Sequence, residues 1–145
     1  MTVAPYEILP RLWFGNQAYT YSDDCLHIIT HILNVCCEES ATSKVAKETM
    51  LESEWIYNLD ESNWPILGGR YKLAESFLDR ILSETHHVVY IHCHEGINRS
   101  AAIAIAYRCS KTGESAEKVI KEIRKTGRTI LTNSGFEAAL LATFM

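Results

Sequence analysis

The feature that most constrains the fold is a short apolar segment that runs directly into a polar turn and then into an apolar helix. Residues 88–91 (VVYI) are apolar and mostly β-branched, as expected of a strand buried in the middle of a parallel sheet. The turn has the sequence HCHEGINRS (residues 92–100), and residues 100–110 follow as a strongly apolar helix. Together these segments predict an α/β fold with a central, mainly parallel sheet flanked by helices.

Further strands and helices are predicted in alternation along the chain. Apolar periodicity and capping residues place strands at 31–37 and 55–59, a strand or pair of strands at 8–15, and helices at 22–29, 71–82, 115–125 and 134–143. Residues 38–51 are polar and only faintly periodic, which leaves a helix or a surface loop open. A chain of 145 residues lies within the common size of one domain, so we predict a single domain spanning residues 1–145.

The turn after residue 91 has the chemistry of an anion site. A strand that ends in a tight turn onto a helix N-terminus directs successive backbone N–H groups into one concavity, where the helix dipole also favours negative charge. Gly96 permits the backbone geometry of such a ring, and the Arg99 guanidinium offers paired donors that suit phosphate oxygens. The same field favours the thiolate of Cys93, which can attack a bound phosphate in line. The sequence therefore predicts phosphoryl transfer through a phosphocysteine, without a metal.

The motif HCHEGINRS resembles the signature of the cysteine-based protein phosphatases, and the chain as a whole resembles the small dual-specificity phosphatases. Three further segments look like parts of that family in the same order: ILPRLWFGNQA at 8–18, ITHILNV at 29–35 and TNSGFEAAL at 132–140. Residues 37–52 are the least typical. The resemblance implies a central sheet flanked by helices, in agreement with the fold predicted above, and catalysis that needs no cofactor.

The resemblance assigns roles residue by residue. Cys93 matches the nucleophile and Arg99 the phosphate clamp, while Ser100 matches the hydroxyl that stabilises the departing thiolate. His92 matches a residue that orders the loop and helps to tune the cysteine. The other predicted phosphate-binding residues lie between the nucleophile and the clamp: His94, Glu95, Gly96, Ile97 and Asn98.

Cleavage of an ester with an alcohol-like leaving group benefits from a proton donor on another loop at the same edge of the sheet. Asp60 directly follows the predicted strand WIYNL, and its position 33 residues before the nucleophile resembles the family spacing. We therefore predict that Asp60 is the general acid and that its carboxylate later activates water. Glu61 is the alternative, and Glu95 within the turn is a weaker one.

Several neighbours of the predicted site have more than one interpretation. Asn98 is expected to brace the loop through side-chain hydrogen bonds; Asn133 either does the same or only caps the last helix, and capping is favoured. Glu95 at the mouth either disfavours highly charged substrates or has no effect on substrate choice. Cys36 and Cys37 either trap an oxidised nucleophile, as a second cysteine does in some relatives, or are buried apolar residues, and burial is favoured.

Composition bears on partners and location. The net charge of −4 and the pI of about 5.8 argue against nucleic acid or an anionic membrane as a partner, because proteins that bind these usually carry a basic face. Five cysteines without a CxxC pair, and an N-terminus without a signal-peptide pattern, indicate a reduced, intracellular protein. No apolar stretch approaches the roughly 20 residues that span a bilayer. We expect a cytoplasmic protein, with the nucleus as an alternative. The histidines lack ligand spacing, so no metal site is expected.

The leading hypothesis is a dual-specificity protein phosphatase that acts on phosphotyrosine and phosphoserine/threonine in phosphoproteins, with phosphate or a similar oxyanion bound in the site. A short chain with few insertions is expected to leave a shallow cleft that admits both kinds of side chain, by analogy with the family. The alternatives are an RNA 5′-triphosphatase, whose signature shares the His-Cys start and the Asn before the Arg, a phosphoinositide phosphatase, and a phosphoprotein-binding module without turnover. The sequence leaves the oligomeric state open.

Overall fold

The computed structural model of the protein describes residues 4–39 and 51–145. Within these residues it contains a five-stranded sheet with the strand order β1-β2-β5-β3-β4. The strands are β1 (Tyr6–Leu9), β2 (Leu12–Gly15), β3 (His31–Asn34), β4 (Glu52–Trp55) and β5 (Val89–His92). β1 pairs with β2 in antiparallel orientation, and the other three pairings are parallel. The predicted central, mainly parallel sheet is therefore confirmed.

Helices connect and follow the strands. In the described part of the chain these are α1 (Asp23–Ile28), α2 (Gly69–Leu82), α3 (Arg99–Thr112), α4 (Ala116–Arg124) and α5 (Ser134–Thr143), and a 3₁₀ turn precedes α1. A serine fixes where α1 begins, because Ser22 Oγ accepts the N–H of Cys25. All five helices agree with the predicted ones to within two residues at each end. Over residues 4–39 and 51–145, none of them has the length and apolar character needed to cross a membrane.

The helices cover both faces of the sheet because the strand side chains alternate between two apolar clusters. Side chains of α2 to α5 pack against the larger face, to which the strands contribute Leu12, Phe14, Leu33, Val89 and Ile91. On the smaller face, Ile32 and Tyr90 pack with side chains of the 3₁₀ turn and of the segment around α1. Burial on both faces explains the continuous apolar runs of the central strands.

The four parallel strands all end at one edge of the sheet. Because β2, β3, β4 and β5 run in the same direction, the segments after Gly15, Asn34, Trp55 and His92 emerge at that edge. Hydrogen bonding continues beyond the strands, since the Val35 N–H donates to the His92 carbonyl at 2.9 Å. Open α/β sheets bind their ligands at this edge. The turn after β5 therefore lies where a ligand site was predicted.

The prediction of a strand at 55–59 was wrong in position. The structure places β4 at Glu52–Trp55, an edge strand whose side chains are all exposed, and such a strand gives no apolar pattern in the sequence. The Ile56 N–H still donates to the Asn34 carbonyl at 2.9 Å, so the chain continues alongside β3 beyond β4. The strand predicted at 31–37 is shorter, because β3 ends at Asn34. The prediction for residues 38–51 falls mostly outside the described ranges.

Candidate active site

The turn between β5 and α3, residues 93–98, is here called the phosphate loop, and at one position only glycine fits. Gly96 has a φ of +75°, in the left-handed region that side chains disfavour. A Cβ atom at this position would lie 2.5 Å from the carbonyl carbon of Gly15 and 2.6 Å from the nitrogen of Asn16. The close approach of the loop to the end of β2 therefore depends on the glycine.

Backbone hydrogen bonds hold the phosphate loop from two sides. The Gln17 N–H donates to the His94 carbonyl at 3.1 Å, and the Leu131 N–H donates to the Ile97 carbonyl at 2.9 Å. These bonds use carbonyl groups of the loop, and α3 begins directly after it. Such an arrangement suits an anion, because backbone N–H groups and the positive end of a helix dipole are the parts that bind negative charge.

Cys93 lies at the base of the phosphate loop, with only 2% of its surface exposed. Its Sγ accepts the N–H of Gly96 at 3.3 Å and lies 3.2 Å from the Oγ of Ser100. The Ser100 hydroxyl also reaches the Gly15 carbonyl at 3.2 Å. Because a hydroxyl has one proton to donate, Ser100 can give it to Gly15 while the sulfur is a thiol or is esterified, and to the sulfur when it is a thiolate.

Arg99 is the first residue of α3, and its guanidinium is fixed at one end. Nη1 donates to the carbonyl of Asn58 at 3.2 Å, and the buried Nε has no hydrogen-bond partner among the described residues. Asn58 is itself buried, and its Oδ1 accepts the indole N–H of Trp64 at 2.9 Å. Neither Asn58 nor Trp64 was predicted from the sequence. The available signal was a polar residue at the end of an apolar run, two positions before Asp60.

His92 is fully buried beneath the phosphate loop. Its Nδ1 lies 3.2 Å from the carbonyl oxygen of Cys93, and because a carbonyl only accepts, the proton is on Nδ1. Burial lowers the pKa of His92 to about 4, so the ring is neutral near pH 7. His92 therefore contacts the loop as a neutral hydrogen-bond donor and places no positive charge beside Cys93.

Asp60 is exposed on the segment that follows β4, and two asparagines hold its carboxylate. Oδ2 accepts the side-chain N–H of Asn98 at 3.0 Å, and Oδ1 accepts that of Asn133 at 2.8 Å. Asn133 Oδ1 also caps α5, so Asn133 makes both kinds of contact that the sequence left open. The side chains of the alternative acids, Glu61 and Glu95, make no hydrogen bond within residues 4–39 and 51–145. Of the three carboxylates, Asp60 is the one that accepts a hydrogen bond from a side chain of the phosphate loop.

Residues 59–68, here called the acid loop after the role predicted for Asp60, rest on the start of α5. A Cβ atom added to Gly135 would lie 1.8 Å from the carbonyl oxygen of Ser62, so the loop backbone occupies the space that a side chain would need. The Trp64 ring packs against Tyr57 at a centroid distance of 5.6 Å, and the Arg70 guanidinium lies 5.3 Å from the centre of the Trp64 ring. These contacts fix the acid loop on two sides.

The two adjacent cysteines after β3 differ in burial. Cys36 is 3% exposed; burial, with a smaller contribution from nearby Cys93, raises its pKa to about 12, so it is a thiol at neutral pH. Cys37 is exposed. The predicted burial is thus confirmed for Cys36 and wrong for Cys37. None of the five cysteines forms a disulfide.

A cleft adjoins the phosphate loop, and its lining includes none of Cys93, Arg99 and Asp60. His94 and Glu95 are exposed, and they line a cleft of about 900 Å³ together with Arg128 and neighbouring residues. Arg128 is already engaged, because its guanidinium lies 5.3 Å from the centre of the Phe14 ring and donates to the carbonyl of Ala4. An exposed carboxylate and an engaged guanidinium therefore border the cleft.

Comparison with known proteins accounts for almost the whole chain. Residues 12–144 match the family described as dual specificity phosphatase, catalytic domain. The chain is 30% identical over 142 residues to rat dual specificity protein phosphatase 5, and the match covers 94% of this chain and 35% of that protein. It thus spans about a third of the length of this curated relative.

Solved structures of similar proteins share the fold. The crystal structure of DUSP15 has a TM-score of 0.80 at 23% identity, and the match covers 95% of this chain and 85% of that one. Human DUSP28 has a TM-score of 0.79 at 16% identity, with 99% of this chain and 95% of that chain covered. At this identity the likeness shows the fold, and it covers nearly the whole chain.

Proposed function

Because the chain belongs to the dual-specificity phosphatase family, we propose that it is a metal-independent protein phosphatase that hydrolyses phosphotyrosine and phosphoserine/threonine monoesters through a phosphocysteine. The observation that carries the proposal is the position of the Cys93 sulfur. It is buried at the base of the phosphate loop, 3.3 Å from the Gly96 nitrogen and 3.2 Å from the hydroxyl of Ser100 in the first turn of α3, the helix that Arg99 begins. Such a site stabilises both a thiolate and the phosphate above it.

The first half of the reaction transfers the phosphoryl group to sulfur. The Cys93 thiolate attacks phosphorus, the bond between phosphorus and the ester oxygen breaks, and Asp60 gives its proton to the departing oxygen. Arg99 and the N–H groups of the phosphate loop stabilise the charge on the three non-bridging oxygens. The products are the alcohol or phenol of the substrate and a phosphocysteine.

The second half regenerates the enzyme. Asp60, now a carboxylate, takes a proton from water as the water oxygen attacks phosphorus, and the phosphorus–sulfur bond breaks. Ser100, 3.2 Å from the sulfur, donates its hydroxyl proton as a hydrogen bond to the thiolate that leaves. Inorganic phosphate is released, and no oxidant, metal or second substrate enters the balance.

Charge favours protein monoesters over the other phosphate esters. The exposed carboxylate of Glu95 in the phosphate loop repels polyanions such as an RNA triphosphate end or a phosphoinositide headgroup. Acceptance of phosphothreonine as well as the longer phosphotyrosine rests on the shallow cleft expected by analogy with the family, with which the exposed side chain of Asp60 agrees.

The test is phosphate release from matched phosphotyrosine and phosphothreonine peptides in EDTA, with Cys93→Ser as the control. We expect turnover of both peptides and a loss of at least about 10³-fold in the variant, because the hydroxyl is a far weaker nucleophile. The thermal unfolding midpoint of Cys93→Ser should stay close to that of the parent protein, since oxygen replaces sulfur without a change of shape.

Each other outcome redirects the proposal. Turnover of phosphotyrosine alone would withdraw the claim for phosphoserine/threonine. Turnover that survives in Cys93→Ser, or that requires a divalent metal, would refute the phosphocysteine route. No turnover of either peptide would send the search to RNA 5′-triphosphate ends and phosphoinositides, and then to phosphoprotein binding without catalysis.

A further inference from the structure

The side chain of Asn98 connects three segments that are distant in sequence. Its Nδ2 donates to Asp60 Oδ2 at 3.0 Å and to Thr132 Oγ1 at 3.1 Å. Its Oδ1 accepts the backbone N–H of Asn133 at 2.9 Å. We propose that Asn98 is a positioning residue that holds Asp60 in register with the phosphate loop, and this inference rests on the proposed function.

Asn98 occupies a helix N-cap but does not cap the helix. It precedes α3, where an asparagine oxygen usually accepts an N–H of the first helical turn, yet its side chain makes no such bond. Instead, the oxygen is used by the backbone of Asn133. The first N–H groups of α3 thus remain for a bound phosphate, and the side chain is directed across the site to Asp60.

The segment that holds the Asn98 side chain, residues 131–133, is rigid. Leu131 is buried, has a φ of +57°, and donates its N–H to the carbonyl of Ile97, next to Asn98. A buried residue in the left-handed region persists only where its surroundings determine it fully. Thr132 and Asn133, which are hydrogen-bonded to the side chain of Asn98, therefore belong to a segment that a backbone hydrogen bond also holds to the phosphate loop.

A carboxamide is the group that such a contact requires. It presents an N–H donor and a carbonyl acceptor side by side on one rigid plane, whereas a serine side chain is shorter and its hydroxyl has one proton. With Oδ1 held by Asn133, the Nδ2 of Asn98 has a fixed direction, and Asp60 is placed accordingly. Asn98 directly precedes Arg99 in the sequence. The position of Asp60 relative to the Arg99 guanidinium therefore depends on two adjacent residues, Asn98 and Arg99.

The exposure of Asp60 explains why positioning matters. An exposed side chain samples several rotamers, and each bond to Asn98 or Asn133 restricts it to the one that faces the phosphate loop. A misplaced acid reduces proton transfer to the leaving group, but it leaves the phosphate site itself intact. The role thus predicts a loss that depends on the leaving group.

The experiment measures kcat and KM of Asn98→Ala on a phosphotyrosine peptide and on an aryl phosphate with a strongly acidic phenol as leaving group. We expect kcat on the peptide to fall about tenfold with KM unchanged, and kcat on the aryl phosphate to change by less than about twofold. In the Asp60→Asn background, Asn98→Ala should cause no further loss. Asn63→Ala, an exposed asparagine of the acid loop, is the matched control and should leave both substrates unaffected.

Three results would overturn the inference. These are an equal loss on both substrates, a raised KM with unchanged kcat, and effects of Asn98→Ala and Asp60→Asn that multiply. A readout without substrate is the side-chain amide signal of Asn98 in ¹H–¹⁵N spectra, assigned by its disappearance in Asn98→Ala. We expect Asp60→Ala to shift it, and an unmoved signal would contradict the contact. The spectra test the contact even if the parent protein fails to release phosphate from peptides, which would refute the proposed function alone.

Discussion

The phosphate loop and the acid loop meet at one edge of the sheet but are held in different ways. The phosphate loop is fixed by backbone hydrogen bonds, such as those at His94 and Ile97, and by the close approach of Gly96 to β2. The acid loop also rests on α5, but its functional residue is exposed, and its carboxylate is placed by side-chain amides of other elements. The shape of the phosphate loop is therefore determined by backbone contacts, whereas the position of the Asp60 carboxylate depends on a few side chains.

This difference separates two kinds of functional loss. Damage to the phosphate loop removes the thiolate, the anion site and the clamp together, so every substrate is affected alike. On the proposed mechanism, a misplaced Asp60 lowers activity only to the extent that the leaving group needs a proton. The ratio of activities on poor and good leaving groups then reports which loop a substitution has disturbed.

The largest effect is expected from Gly96→Ala. The new Cβ would meet the backbone of Gly15 at 2.5 Å, at a φ of +75° that alanine disfavours, so the loop must move. We expect kcat/KM to fall about 10³-fold on phosphopeptides and aryl phosphates alike, because the anion site itself is distorted. Steady-state kinetics on both substrate classes provide the measurement.

A second glycine gives the matched control. Gly113, after α3, has a φ of +78°, but an added Cβ would have no neighbour within 4 Å. Gly113→Ala should therefore lose stability, by about 1 kcal/mol, with kcat/KM unchanged. If Gly96→Ala lowered activity on phosphopeptides but not on aryl phosphates, the claim that damage to the phosphate loop affects every substrate alike would be wrong.

The same contrast describes what the sequence can predict. The phosphate loop is contiguous, and the strand, the glycine and the helix that shape it are all visible within residues 88–110. Asp60 was predicted to lie at the carboxyl ends of the strands, but its partners were not predicted, because no local pattern shows that it comes to lie beside Asn98 and Asn133. Pairing between distant segments is decided by tertiary packing.

The error at β4 has a similar cause. An apolar run at 55–59 indicated a strand, yet the ladder with β3 uses the exposed residues Glu52–Trp55. Edge strands bury little, so backbone pairing rather than side-chain pattern determines their register. The apolar residue Ile56 lies just beyond β4 and is buried in the core instead.

The next effect concerns stability, and it arises from the histidine beneath the phosphate loop. Burial lowers the pKa of His92 to about 4, whereas the unfolded chain takes up this proton near pH 6.5. The contribution of His92 to the free energy of unfolding is complete above pH 6.5, declines as the pH falls from 6.5 to 4, and is lost below that. The loss amounts to about 3 kcal/mol over this window.

Urea unfolding at several pH values between 7.5 and 4 measures this effect. Burial also lowers the pKa of His31, which adds to the slope in the same direction. His92→Gln should flatten the pH dependence, while His86→Gln, which removes an exposed histidine, should leave it unchanged. If His92→Gln left the pH dependence of the free energy of unfolding unchanged, protonation of His92 would not be what destabilises the protein at low pH.

Asp60→Asn is expected to have a smaller effect on activity than Gly96→Ala, and a more selective one. The substitution keeps the size of the side chain but removes the proton that the leaving group takes. We expect kcat/KM to fall about 10²-fold on phosphothreonine and phosphotyrosine peptides, and to stay within about threefold on an aryl phosphate whose phenol leaves without protonation. The loss should be greater for phosphothreonine, since an alkoxide is the poorer leaving group.

Glu61→Gln is the control on the same loop, because Glu61 is exposed and is the alternative acid. Its activity should match that of the parent protein on both substrate classes. A selective loss in Glu61→Gln, with Asp60→Asn unaffected, would transfer the acid role to Glu61. An equal loss of both substrate classes in Asp60→Asn would mean that Asp60 supports the phosphate loop through Asn98 rather than supplying a proton. The leaving-group ratio thus decides whether the contact between the two loops serves proton transfer or loop structure.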